Sequence, residues 1–118
     1  MPAKVSTELG TISIDDNVIA TIAGISAMES YGIVGMASKR ATDGLFELLK
    51  SENLSKGIKV YSKEDMLTID LHVILEYGVK ISVVAENIID RVRFNVESYT
   101  GLKITKININ VQGIRVEK

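Results

Sequence analysis

The one histidine of the chain is the first candidate for catalysis. His72 follows Asp70 by two residues in a segment where apolar and polar residues alternate, so a strand would place both side chains on one face. A histidine beside a carboxylate can act as a general base. The pattern brings no serine or second acid to this pair, and the chain has no cysteine. We therefore interpret His72 as a surface or edge histidine and expect no catalytic residues and no enzymatic activity.

Two pairs of adjacent acids are the candidates for binding a metal ion, Asp15 with Asp16 and Glu64 with Asp65. Neighbouring side chains point to opposite faces of a strand and diverge at a helix start, so neither pair is arranged to share a cation. The alternating oxygen ligands of an EF-hand are absent, and one histidine without cysteine excludes multi-histidine and thiolate sites. We expect a helix start and a hairpin turn here, with no metal and no cofactor.

A G-x-x-G sequence is formed by Gly32 and Gly35, and the basic residues Lys39 and Arg40 follow it. KH domains hold the nucleic-acid backbone with such a loop between two helices. However, the two middle residues are apolar, and a net charge of −1 provides no general attraction for nucleic acid. A structural turn is the preferred interpretation. A KH-like nucleic-acid-binding module that uses this loop is the alternative.

The elements that must position these residues follow from the hydrophobic periodicity. Helices are predicted over residues 16–30, with Asp15 as the N-cap, over 42–50, and over 81–99, with Gly101 as the C-cap. Strands are predicted over 9–14, 58–61, 67–76 and 107–112. The order is β-α-(α)-β-β-α-β. It predicts an α+β fold, a two-layer sandwich in which helices cover a mainly antiparallel sheet, and one domain over residues 1–118.

The first predicted helix has two faces of different composition. Val18, Ile22 and Ile25 form an apolar stripe typical of a core-facing helix, and Glu29 continues it. We expect the stripe to end near solvent at Glu29; the alternative is a partly buried acid bonded to backbone amides of the next turn. The opposite face either meets solvent or makes a tight contact with another helix. Glycine in a helix costs about 1 kcal/mol relative to alanine, and a tight contact would compensate for this cost, so the contact is favoured. If this opposite face is not packed inside the protein, it is a candidate interaction surface. Its residues are Ala20, Ala23, Gly24 and Ala27.

The last predicted helix carries the second candidate interaction surface. Its buried stripe is predicted to consist of Ile81, Val84, Ala85, Ile88, Val92, Val96 and Tyr99. Val83 and Phe94 lie opposite this stripe, with Asp90 between them at helical spacing. Two exposed apolar residues on one face indicate either a partner contact or the scattered apolar residues that any surface contains.

The composition fits one small domain outside the membrane. The chain has 118 residues, of which 46% are hydrophobic and 25% charged, enough apolar residues to form a core. The start of the sequence has no apolar segment typical of a signal peptide. The longest apolar stretch is shorter than the roughly 20 residues that a membrane span needs. We therefore expect a cytoplasmic protein.

Glycines and apolar runs in a set order extend over nearly the whole chain. They occupy residues 9–14 with 18–25, Gly32 to Met36, 54–60, 69–79 with 84–88, and 100–102 with 107–113. In these segments the sequence resembles the alkaline shock protein family, in particular its YloU-like small cytoplasmic members from Gram-positive bacteria. The resemblance implies a role in envelope and alkaline stress. It also implies self-association, or attachment to the inner face of the membrane by a membrane-anchored partner. The family has no established catalytic residues to transfer.

Overall fold

The computed structural model describes residues 3–37, 57–63 and 66–116. Within these ranges the chain forms six strands and two helices. The elements are β1 (Ala3–Thr7), β2 (Gly10–Ile14), α1 (Asp16–Met28), β3 (Ile33–Met36), β4 (Ile58–Lys63), β5 (Met66–Glu76), α2 (Ile81–Thr100) and β6 (Lys106–Arg115). The predicted helix over 42–50, the acids Glu64 and Asp65, and the basic residues Lys39 and Arg40 lie outside the described residues.

The central strand of the main sheet is β5. β4 pairs antiparallel with its first half, and β3 pairs antiparallel with its second half. β6 runs parallel to β5 from Thr68–Lys106 to Glu76–Arg115, and the register shifts where Gly113 lies opposite Ile74. The predicted α+β sandwich with a mainly antiparallel sheet is confirmed.

The core lies between one face of this sheet and the two helices. The period-two row of β5 is buried as predicted, and it comprises Leu67, Ile69, Leu71, Val73 and Leu75. α2 contributes the buried residues Val84, Ile88, Val92 and Val96. The ends of the predicted α2 stripe are exposed, with Ile81 at 46% and Tyr99 at 74% exposure. The core formed with the sheet and α1 therefore covers the middle of α2 and leaves its two ends to solvent.

The first predicted strand is half of a hairpin. β1 pairs antiparallel with β2 from Ala3–Ile14 to Thr7–Gly10, and Glu8 and Leu9 form the turn. The strand predicted over 9–14 is confirmed as β2, whereas its partner β1 was not predicted. Gly10 closes the hairpin turn as the first residue of β2.

α1 begins where the sequence predicts. Asp15 is the N-cap, and its Oδ2 accepts a hydrogen bond from the backbone N–H of Asn17 at 3.2 Å. The helix ends at Met28, two residues before the predicted end at Ser30.

Replacing Asp15 with alanine should lower the free energy of unfolding by about 1 kcal/mol, because the amide it caps loses its partner. Urea denaturation of the purified chain measures this change. Asp15→Asn retains a side-chain acceptor and should keep most of the stability. Equal losses in both variants would contradict a capping role.

The face of small residues on α1 is buried, whereas the apolar stripe is only partly buried, with Ile22 packed against the core. The buried residues of the helix are Ile19, Ala20, Ala23, Gly24, Ser26 and Ala27, whereas Val18 and Ile25 are about half exposed. The small residues let α2 approach closely, and Asn95 Nδ2 donates a hydrogen bond to Ser26 Oγ across this contact at 2.8 Å. The predicted tight helix contact is confirmed. The interaction surface proposed at Ala20, Ala23, Gly24 and Ala27 is wrong, because these residues are packed inside the protein.

Candidate interaction groove

A groove runs along the exposed face of α2, beside the turn that joins α1 to β3. Its larger part is a cavity of about 560 Å³ lined by Ser30, Tyr31, Asn87, Asp90, Arg91, Phe94 and Asn95. A second cavity of about 470 Å³ shares Tyr31 and Asn87 with the first. It continues the groove towards the turn after β5 and is also lined by Glu76, Tyr77, Gly78, Val79, Lys80, Val83 and Val84. We call the two cavities together the α2 groove.

The predicted candidates on α2 all line this groove. Val83 is 49% exposed and Phe94 is 71% exposed, and Asp90 lies between them on the helix. Helical spacing alone places these side chains on one side of α2. The structure shows where they are; their role in binding stays a prediction.

Two tyrosines of the groove were not predicted from the sequence. Tyr31 is 80% exposed and Tyr77 is 70% exposed. Each directly precedes a glycine with positive φ, Gly32 at +88° and Gly78 at +99°. These turns bring two segments far apart in sequence beside α2. The repeated Tyr-Gly pair is the sequence signal that could have indicated both positions.

The close approach at Gly32 fixes one wall of the groove. A Cβ atom at Gly32 would lie 2.9 Å from Cγ2 of Val84, so only glycine lets the backbone approach α2 this closely. The Gly32 carbonyl also accepts a hydrogen bond from the Glu76 backbone N–H at 2.9 Å. The turn that carries Tyr31 is thereby held close to α2.

Charged residues lie at the end of the groove near α1. Arg91 Nη1 lies 3.5 Å from Glu29 Oε1, and both side chains are about half exposed. Such an exposed ion pair contributes little to stability. Glu29 is on the surface, as expected where the stripe ends, and the alternative of a partly buried acid is wrong.

His72 and Asp70 lie on the face of β5 opposite the buried row, and each has its own partner. His72 Nδ1 lies 3.3 Å from the Gly57 carbonyl oxygen, and Asp70 Oδ1 accepts a 2.7 Å hydrogen bond from Asn108 Nδ2. His72 is half-buried on the central strand rather than at a sheet edge.

The G-x-x-G sequence does not form the loop that a KH domain uses. Gly32 lies in the turn after α1, but Gly35 is inside β3 and pairs with Ile74 of β5. The predicted loop between two helices was therefore wrong, because hydrogen bonding to β5 extends this segment. The preferred interpretation, a structural turn, holds for Gly32 alone.

Residues 3–37, 57–63 and 66–116 contain no group of three or more His, Asp or Glu side chains that could hold a metal ion. No helix in this described part combines the length and apolar character needed to cross a membrane.

The sequence and this α+β fold can be compared with known proteins. Residues 4–116 match the alkaline shock protein 23 family, which is described as having a cell envelope-related function. The match covers almost the whole chain, so the protein belongs to this family. The resemblance carried by the glycines and apolar runs is confirmed.

Several relatives are similar over most of the length of this chain. Protein Spy1614 of Streptococcus pyogenes is 46% identical over 117 residues, which cover 98% of this chain and 97% of the relative. Protein YloU of Bacillus subtilis is 44% identical, with 98% of each chain covered. A stress response regulator gls24 homolog of S. pyogenes is 23% identical, covering 92% of this chain and 61% of its own.

Proposed function

We propose that this protein is a non-enzymatic interaction protein of the bacterial cytoplasm that takes part in the envelope and alkaline stress response. It acts by self-association or by binding a membrane-anchored partner, which would hold it at the inner face of the membrane. The envelope-related function of its family supports the cellular setting. The name of the gls24 relatives, stress response regulators, supports the link to stress.

The observation that carries an interaction role is the α2 groove. It gathers four exposed apolar or aromatic side chains in one continuous depression, namely Tyr31, Tyr77, Val83 and Phe94. Contiguous exposed apolar surface marks interaction sites, and aromatic residues and arginine are enriched where proteins bind each other. Arg91 lies in the same groove.

The partner that fits this groove is a protein segment with an apolar anchor side chain. Phe94 offers a flat aromatic surface, while Asn87, Asn95 and Asp90 offer hydrogen-bonding groups around it. Polar groups around an apolar centre are the usual arrangement of a protein interface. Phe94 is therefore the side chain whose loss should weaken binding most.

Replacing Phe94 with lysine should leave the fold intact and weaken partner binding by about tenfold or more, as loss of a central aromatic residue commonly does. The measurement is affinity purification from the native host after crosslinking, with membrane and soluble fractions analysed separately. Recovery of each partner is compared between the wild type and Phe94→Lys.

Tyr99→Lys is the matched control, because Tyr99 lies on the same helix, is 74% exposed and does not line the groove. Circular dichroism shows whether both variants fold. Unchanged partners and unchanged oligomeric state for Phe94→Lys would show that the groove has no such role.

A further inference from the structure

The β1–β2 hairpin extends beyond the core that supports it. Of its ten strand residues one is buried, two are half-buried and seven are exposed. Among the described residues, its base at Ala3 and Ile14 is the part that packs against the core, and Leu9 in the turn is fully exposed. A lone two-stranded hairpin is marginally stable in water. Within the part of the chain that the structure describes, the outer half of this hairpin therefore lacks the contacts that usually stabilise such a structure.

The hairpin has one apolar and one polar face. The register places Ala3 with Ile14 and Val5 with Ile12 on the same face. The other face carries Lys4, Ser6, Thr11 and Ser13. The apolar face starts at the core and continues outward to Ile12, which is 53% exposed. This apolar face is thus longer than the core beneath it.

The free edge of β2 carries no feature that prevents pairing with another strand. Its sequence, Gly-Thr-Ile-Ser-Ile, contains no charge and no proline, and within the described residues β1 is its paired neighbour. Natural edge strands are commonly protected by charged residues, especially lysine. β4, in contrast, carries lysines that disfavour such pairing. Antiparallel pairing of two copies about Tyr61 would place Lys59 directly opposite Lys63 of the second copy. Like charges directly opposite each other are destabilising.

We infer that β2 pairs antiparallel with β2 of a second copy of this chain, about a two-fold axis at Ile12. Thr11 then lies opposite Ser13 of the second copy, and Gly10 opposite Ile14, so no charged side chains of the two β2 strands meet. The two Ile12 side chains lie side by side. The result is a four-stranded sheet in the order β1-β2-β2-β1 whose apolar face continues from one copy to the other. A two-fold axis makes the contact self-complementary and closed at two copies.

This inference deepens the self-association part of the proposed function and uses a surface separate from the α2 groove. Because the hairpin residues do not line the groove, a failure of the pairing would leave groove binding unaffected. The two proposals can therefore be tested by different variants.

A cysteine at the two-fold axis tests the pairing directly, since the chain has no cysteine of its own. Directly opposite residues of antiparallel strands have Cβ atoms about 4.5–5.5 Å apart, close to the separation in a disulfide. Ile12→Cys, oxidised with oxidised glutathione, should form a covalent dimer at least about tenfold faster than a cysteine exposed elsewhere. Ile25→Cys on α1 is the matched control, because Ile25 is 50% exposed and Ile12 is 53% exposed.

Sedimentation of the purified chain over a concentration series gives the second readout. The wild type should form a reversible dimer, which Ile12→Lys should weaken at least about tenfold and Ile25→Lys should leave unchanged. Circular dichroism confirms that the variants fold. A monomeric wild type at every concentration, a dimer unaffected by Ile12→Lys, or equal crosslinking of the two cysteine variants would each overturn the pairing. If Phe94→Lys still weakens partner binding, the proposed groove function stands without it.

Discussion

Replacing Gly32 with alanine is expected to lower the free energy of unfolding by about 2–5 kcal/mol. The backbone there has a φ of +88°, a conformation that costs an L-residue about 1–2 kcal/mol. The new Cβ would also lie 2.9 Å from Cγ2 of Val84 and 3.3 Å from Cγ1 of Val79. Overpacking of this kind typically adds about 1–3 kcal/mol. The backbone has little room to retreat, because the Gly32 carbonyl is hydrogen-bonded to Glu76.

Gly101→Ala is the control that separates backbone strain from the steric clash. Gly101 has a φ of +78°, and a Cβ there would meet nothing within 4 Å. Its replacement should cost only the backbone strain of about 1–2 kcal/mol. Guanidinium denaturation of both variants measures the difference. Equal losses of unfolding free energy in the two variants would show that the closeness of this turn to α2 does not restrict which side chain position 32 can carry.

The parts of the fold that could be predicted are those with long, regular periodicity. The five-residue apolar row of β5 was found buried, and α2 was predicted over 81–99 and observed over Ile81–Thr100. Gly101 is the left-handed C-cap that the sequence indicates, and its N–H donates to the Glu97 carbonyl. In these segments the apolar periodicity, the burial and the capping residue all favour the same secondary structure. Contacts with distant parts of the chain therefore do not alter it.

The orientation of α1 could be predicted only in part, because both of its faces are apolar. Residues 17–28 contain no charged side chain that would mark the solvent side. The larger residues Val18 and Ile25 indicated a core-facing stripe, yet they are about half exposed. The packing partner, α2, decides the outcome, and it lies more than fifty residues away in sequence. A contact through small residues allows the two helices to pack closely, which periodicity alone does not show.

The candidate site was predicted only where one element supplies it. Helical spacing was enough to find Val83, Asp90 and Phe94 on α2. Tyr31 and Tyr77 come from two separate turns, and they meet α2 because β3 and β5 pair in the sheet. That pairing is a long-range contact that local patterns do not encode. The groove as a whole is therefore a consequence of the tertiary fold.

The contact between the helices should tolerate larger side chains poorly. Ala23 is fully buried in the core, and Ser26, one turn further along α1, accepts the hydrogen bond from Asn95 of α2. Ala23→Leu adds three carbon atoms at this close contact. We expect the free energy of unfolding to fall by about 3 kcal/mol, the upper end of the usual cost of overpacking.

Thr21→Leu is the control for Ala23→Leu, because Thr21 lies on the same helix but is exposed. Leucine favours helix slightly more than threonine does, so this variant should change stability by no more than about 0.5 kcal/mol. Urea denaturation of the two variants gives the comparison. Similar stability for both would mean that α1 can move away from α2 at little cost. The small side chains would then not be what sets the distance between the helices. A large loss confined to Ala23→Leu instead means that the alanines and Gly24 are required for packing inside the protein, and it leaves Val18 and Ile25 as the surface that α1 presents to solvent.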